Sequence, residues 1–473
     1  MGSASLRNSL LLSTLVVVVL ALVASFSVPA LATSRQALRR IEPEHTGFKV
    51  VLKHIDSGKN LTKFERLQRG IARGQHRLQK LSKTEMEAES PIHAGNGEFL
   101  MQLAIGTPAE GFSAIMDTGS DLIWTQCEPC SQCFHQPTPI FNPRNSSTFA
   151  TLSCSSQTCQ ALPSATCSVR GDGSCEYFYS YGDYSYTQGV MATETFTFGD
   201  SSGDGHGQDA ISISKVAFGC GKDNEGGGFS QGAGLVGLGR GPLSLVSQFG
   251  VPEFSYCLTS IDDDSKISRL FIGRQAINIT TTTTTTTAAA AAAASPTATT
   301  SITIPLIQNP SQPSFYYLPL QGISVGGTRL PINPSTFSLG DDGSGGLIID
   351  SGTTITNLEE SAFESVRREF IFQTKLPVDS SGWSGLDLCF TLPSGTTQVE
   401  VPRLVLHFEG GSDLDLPGNN YMIGDSTLGL ICLAMGASTG ISILGNVQQQ
   451  NMLVVHDLEK ETLSFIPTQC DQL

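Results

Sequence analysis

Short runs of alternating hydrophobic and polar residues recur along most of this chain. FLMQLAI (99–105), FSAIM (112–116), TETFTF (193–198), KVAFGC (215–220), LIID (347–350) and LVLHF (404–408) are parted by clusters of Gly, Asp and Pro. Runs this short, bounded by turn residues, predict strands packed on one face. The expected fold class is all-β, mainly β with few short helices. Two stretches break the rhythm. FERLQRGIARGQHRLQKLSK (64–83) is basic and tolerates a helix, and SLLLSTLVVVVLALVA (9–24) is almost wholly apolar.

A chain of 473 residues exceeds one ordinary core, so two lobes are expected. Charged residues make up only 15% while glycines number 49, which suits a turn-rich β-protein. The net charge of −15 is unevenly spread. Residues 33–90 carry 13 Lys/Arg against 7 Asp/Glu, whereas 91–473 carry 14 against 36. An acidic body argues against nucleic acid and anionic membranes as partners, and fits work in acid, where carboxylates lose their mutual repulsion.

The apolar run follows Arg7 and leads to Ala30-Leu31-Ala32 before Thr33, the form of a secretory signal peptide over 1–32. No stable membrane anchor is expected. The basic, cysteine-free 33–90 reads as a pro-segment, a cation laid across the acidic body. An N-terminal lobe over 91–275, a low-complexity Thr/Ala loop over 276–300 and a C-terminal lobe over 301–473 complete the layout. All 12 cysteines fall at or after Cys127. They are Cys127, Cys130, Cys133, Cys154, Cys159, Cys167, Cys175, Cys220, Cys257, Cys389, Cys432 and Cys470, and an exported chain points them to disulfides rather than to zinc or an iron–sulfur cluster. Asn60, Asn145 and Asn278 open Asn-x-Ser/Thr glycosylation sites. The secretory pathway is the expected route, ending in extracellular space, apoplast or secreted fluid, with the vacuole as another destination.

Other chemistries find little support. Gly232-x-Gly234-x-x-Gly237 fits a dinucleotide fingerprint, but Gly241-Pro242 would break the helix it needs. The 8 histidines form no His-x-x-x-His pair, and no serine is expected to stand on a nucleophile turn.

What the chain does repeat is an acid. IMDTGSDLIW (115–124) sets Asp117 after an apolar run and before Thr118-Gly119-Ser120, and LIIDSGTTIT (347–356) sets Asp350 before Ser351-Gly352-Thr353. Each lone Asp reads as a turn cap. Two with matching flanks point to two related lobes that each lend a carboxylate to one site. Paired carboxyls share a proton, so one serves as base while the other serves as acid. Gly119 and Gly352 bring N–H groups near the carboxylates, and the flanking hydroxyls orient them. A second echo follows: LVGLG (235–239) after the first acid and ISILGN (441–446) after the second.

At these residues the chain resembles the pepsin-like aspartic endopeptidases, and among them the plant nepenthesin type. DTGSDLIWTQCEPCSQCF, YGDYSYTQG, GAGLVGLGRGPLSL, FSYCL, IIDSGTT, LDLCF, ICLAM and ILGNVQQQNMLVVHDL carry the likeness over about 97–470. It implies a bilobal pepsin-like fold with the cleft between the lobes, and a cysteine-rich insert over 127–175. Asp117 and Asp350 become the catalytic dyad, braced by Thr118 and Ser351. Tyr181 becomes the flap tyrosine over the substrate, and Trp124 its aromatic support. It also implies protein or peptide substrates, a zymogen inhibited by its own pro-segment, inhibition by pepstatin-like compounds, a monomer and no cofactor. Xylanase-inhibitor-like proteins share this fold without activity, and they are the alternative reading. The resemblance suggests nested bridges, Cys154–Cys175 around Cys159–Cys167, with Cys389–Cys432 and Cys257–Cys470. One departure stands in the flap, where Tyr184 occupies a position usually held by glycine.

Overall fold

The period-two runs fold as strands whose alternate side chains face the core. The computed structural model describes residues 47–81 and 99–473, apart from 170, 182–184, 200–209, 227–228, 230–231, 262–265, 275–300, 383–384, 394–398 and 426. The signal peptide, the Thr/Ala tract, Asn278 and Tyr184 therefore lie outside the described residues.

In the N-terminal lobe, Phe99–Ile105 pairs antiparallel with Glu110–Asp117. Met101, Leu103 and Ile105 meet Phe112, Ala114 and Met116 in one buried cluster with Phe196, Phe198 and Phe218. Each such aromatic stabilises the fold by roughly 1.5–3 kcal/mol through the apolar surface it removes from water. The strand Gly234–Gly237 then runs parallel to the Asp117 strand, with Gly237 opposite Asp117. A long hairpin, Cys175–Ser180 with Tyr186–Phe198, pairs onward to Ile211–Glu225.

The C-terminal lobe repeats the central part of this plan. Leu347–Ile349 runs parallel to Ser442–Leu444, and Thr356–Glu359 lies on the other side of that strand. A separate four-stranded sheet orders Thr328–Arg329, Leu320–Val325, Leu404–Phe408 and Asp413–Leu416. The two lobes share a floor, where Glu253–Cys257 pairs with Met452–Asp457, itself paired with Thr462–Pro467. The bilobal, mainly β architecture expected from the sequence is the one observed.

Phe48–His54, inside the basic 33–90 stretch, is a strand held between Ser268–Ile272 and Phe99–Ile105. It buries Phe48, Val50 and Leu52. The helix Lys63–Leu81 follows. Thr62 Oγ1 accepts from Glu65 N at 3.1 Å and Glu65 Oε2 accepts from Thr62 N at 2.7 Å, a capping box that satisfies two end donors. Phe64, Leu67 and Ile71 line its buried stripe. Asp56 takes Lys59 at 2.7 Å and Arg69 at 3.5 Å, and Arg66 donates to the Ile261 carbonyl at 2.9 Å. A sheet ladder and an apolar stripe thus seat this segment alongside its charges.

All twelve cysteines form bridges: Cys127–Cys220, Cys130–Cys133, Cys154–Cys167, Cys159–Cys175, Cys257–Cys470 and Cys389–Cys432. The last two match expectation. The nested pair does not: the bridges cross, because burial sorts the sulfurs. Cys175 leads an alternating strand whose inward residues are Cys175, Tyr177 and Tyr179, and the short helix Gln157–Gln160 presents the buried Cys159 to the same cluster. Cys154 and Cys167 remain on the outer side and join each other.

Candidate active site

Each aspartate stands at the end of an apolar strand, and its triplet folds back over it. Gly119 N donates to Asp117 Oδ1 at 3.1 Å, and Ser120 Oγ donates to Oδ2 at 2.6 Å. Around the second acid, Gly352 N donates to Asp350 Oδ1 at 2.8 Å, and Thr353 Oγ1 donates to Oδ2 at 2.7 Å. Both acids are fully buried. The two loops grip each other: Ser351 N donates to Thr118 Oγ1 at 2.9 Å, and Thr118 N donates to Ser351 Oγ at 3.2 Å. A separation of 233 residues thereby closes to a hydrogen bond. Carboxylates already holding N–H and hydroxyl donors keep a fixed orientation, which proton transfer at a shared site requires.

The glycines of the second echo permit this approach. A Cβ on Gly237 would lie 2.3 Å from the Asp121 backbone carbon, and one on Gly445 would lie 2.4 Å from that of Ile355. No other residue fits behind either loop without moving it.

Trp124 Nε1 donates to the Tyr181 hydroxyl at 2.6 Å, so Tyr181 and Trp124 do meet. Both are buried, edge-on to Phe229 at 5.5 and 5.0 Å. Burial, then the neighbouring Tyr179 and the Asp117 charge, hold the Tyr181 hydroxyl well above its ordinary range, so it stays a donor. Asn60 and Asn145 are exposed.

Residues behind the acids were not singled out by sequence. Asp121, buried, accepts from Gly241 N at 2.8 Å and from the Ser314 hydroxyl of the other lobe. Burial raises its pKa, against the opposing pull of these two donors. On the other side, Gln449 Nε2 donates to the Asp350 carbonyl at 3.3 Å and the Leu444 carbonyl at 2.8 Å, while its Oε1 accepts from Tyr256 at 2.6 Å. Asn446 Nδ2 donates to the Ser351 carbonyl at 3.1 Å. A run of three glutamines entering a strand is the one clue the sequence offers, since buried amides demand partners. No group of His, Cys, Asp and Glu suited to a metal occurs among the described residues, and no described helix is long and apolar enough to cross a membrane.

Family models described as "Xylanase inhibitor N-terminal" and "Xylanase inhibitor C-terminal" match residues 99–274 and 315–467. Aspartic proteinase nepenthesin-1 of Nepenthes gracilis is 52% identical over 95% of this chain and 97% of its own length. Nepenthesin-2 of the same plant is 49% identical over 96% and 98%. Aspartyl protease family protein 2 of Arabidopsis thaliana is 42% identical over 80% and 73%. Among solved structures, that titled edgp superposes with a TM-score of 0.63 at 19% identity, covering 90% of this chain and 96% of its own. Soybean basic 7S globulin gives 0.59 at 18%, covering 80% and 99%. At such identities the two structures speak for the fold alone.

Proposed function

The chain belongs to the plant pepsin-like aspartic proteinases of the nepenthesin type, and on that premise we propose that Asp117 and Asp350 are its catalytic pair. The protein is an aspartic-type endopeptidase, a hydrolase of peptide bonds. The observation that supports the pair is the mutual grip of Thr118 and Ser351, which ties the two matched aspartate loops together.

Two buried carboxyls at one site hold one proton between them. The charged member takes a proton from a water held between them, and that water attacks the peptide carbonyl carbon. The protonated member hydrogen-bonds the carbonyl oxygen as charge develops there. A proton then passes to the nitrogen, and the C–N bond breaks. Tyr181, held by Trp124, would close over the substrate as a hydroxyl donor. Its substrates would be proteins or peptides, cleaved in acid.

The protein is further read as an exported zymogen. The leader 1–32 directs secretion, and 33–90 is removed on activation in an acidic compartment outside the cytosol. Because Phe48–His54 is built into the sheet, activation must unzip a strand as well as release ion pairs. The test is casein clearing by purified precursor at about pH 3 and about pH 7, with and without pepstatin, beside an Asp117→Asn precursor. Clearing only in acid, blocked by pepstatin and absent from the variant, is expected. An inactive xylanase-inhibitor-like binding protein would clear nothing at either pH.

A further inference from the structure

The solvent face of the four-stranded sheet in the C-terminal lobe carries a second set of reactive groups. Its inner face buries Ile323, Val325, Leu404, Leu406 and Leu414. Its outer face aligns Arg329, Ser324, His407 and Asp413, one from each strand. Arg329 stands directly across from Ser324, and His407 directly across from Asp413. Ser324 Oγ lies 2.7 Å from His407 Nε2, and His407 Nδ1 lies 2.7 Å from Asp413 Oδ1. His407 faces Gly322 across the ladder. With no side chain there, Arg329 folds over the gap, and a Cβ on Gly322 would fall 2.6 Å from its Nη2.

Hydroxyl, imidazole and carboxylate thus stand in series, with the Arg329 guanidinium on the same face over Gly322, the residue across from His407. The roles match those of a nucleophile, its base, the group that orients the base, and a cation for a developing oxyanion. Gly322-Ile-Ser324-Val-Gly326 also fits G-x-S-x-G. Ser324 stands in an extended strand and not on the sharp strand-to-helix turn usual for that motif. The side-chain geometry, not the motif, therefore carries the inference.

We propose that Ser324, His407 and Asp413 form a second acyl-transfer site, which hydrolyses small carboxylic esters independently of the aspartate pair. His407 Nε2 takes the Ser324 proton as Oγ bonds to the ester carbonyl carbon, and the carbonyl oxygen gains its charge beside Arg329. Asp413 accepts from Nδ1–H and steadies the imidazolium. Collapse breaks the bond to the alcohol oxygen, which leaves with the proton from Nε2. Water then repeats the sequence and releases the carboxylic acid, restoring the serine. The Asp413 side chain is 57% exposed and the face is an open sheet, so the substrates are small esters that need no walled cleft.

The experiment treats purified full-length protein with a fluorophosphonate probe and, separately, p-nitrophenyl acetate, at about pH 8. Wild type, Ser324→Ala, Asp413→Asn and Asp117→Asn are compared. Labelling should map to Ser324, ester hydrolysis should fall roughly a hundredfold in Ser324→Ala and about tenfold in Asp413→Asn, and Asp117→Asn should match wild type. Ser324→Ala should keep full casein cleavage in acid, which separates lost chemistry from lost folding. Labelling of wild type no stronger than of Ser324→Ala, or mapped to another residue, overturns the proposal. So does ester hydrolysis that vanishes with Asp117→Asn.

Discussion

The two aspartate loops present nearly the same front and quite different backs. In front, each carboxyl takes one glycine N–H and one hydroxyl at the same offsets, with distances that agree within 0.3 Å. Behind Asp117 the carbonyl is met by a backbone group, Leu238 N at 2.8 Å. Behind Asp350 the carbonyl is met by a side chain, Gln449 at 3.3 Å, beside Thr353 N of its own turn at 3.4 Å. The difference follows from the ladders. The Gly234–Gly237 strand stays in register with the first acid, while Ser442–Leu444 ends opposite Ile349, one residue short of the second. Asp350 N still donates to the Leu444 carbonyl at 3.1 Å, and an amide side chain bridges the Leu444 and Asp350 carbonyls where the partner strand ends. Duplication preserved the chemistry at the carboxylates and left their support free to diverge.

Removing either acid should erase the front and have the largest effect. Asp117→Asn and Asp350→Asn each keep their shape and lose the shared proton, so kcat should fall by on the order of 10³ or more while circular dichroism stays native. Near-wild-type turnover in either variant would end the pairing.

The backs should then part company. Gln449→Leu strips the Tyr256 hydroxyl of its buried partner, at about 1–3 kcal/mol, and takes one of two donors from the Asp350 and Leu444 carbonyls, which keep Thr353 N and Asp350 N. A clear drop in Tm and roughly a tenfold drop in kcat are expected, with KM little changed. Tyr256→Phe removes a single contact and should do less. Burial, then the Asp350 charge and Tyr316, hold the Tyr256 hydroxyl above its ordinary range, so it acts as a donor throughout. No substitution can delete the corresponding support of Asp117, because it is main chain. Should Gln449→Leu match wild type in both readouts, the asymmetry has no functional weight.

Two buried groups set smaller and opposite pH trends. The raised pKa of Asp121 means the folded state holds its proton more firmly than the unfolded chain. Its stabilising contribution is full below the ordinary value near 3.8 and is lost as pH rises through the folded value. His456, stacked on Phe254 at 4.3 Å, is lowered by burial and by Arg240 from 6.5 to about 3. Its contribution is full above 6.5 and is lost as pH falls toward 3. Thermal melts over pH 3 to 7 should therefore show His456→Phe gaining on wild type toward acid, and Asp121→Asn gaining toward neutrality. Parallel curves for wild type and variant would remove the group concerned from the account.

The front of the site was legible because it is local. Asp117 and the two donors that hold its carboxyl lie within three residues of each other, so triplet and fold say the same thing. The glycine echoes were legible as repeats, though only the backbone approach at Asp121 and Ile355 explains them. The backs were not legible. Gln449 reaches Asp350 across 99 positions, and Tyr256 reaches Gln449 across 193. Nothing local marks such partners. The crossed bridges failed for the same reason, since the choice between Cys159 and Cys154 for Cys175 depends on which sulfur the core encloses.

Cys257–Cys470 joins the floor of the molecule across 213 residues. In covalent terms it turns nearly half the chain into a ring, with the Thr/Ala tract and Asp350 inside it and Asp117 on the tail outside. A protease that nicks the ring once opens it without freeing either piece. The product would run as one band on a non-reducing gel and as two after reduction, and it would keep both acids on a single molecule. A cut in the Thr/Ala tract would become a scar and not a loss.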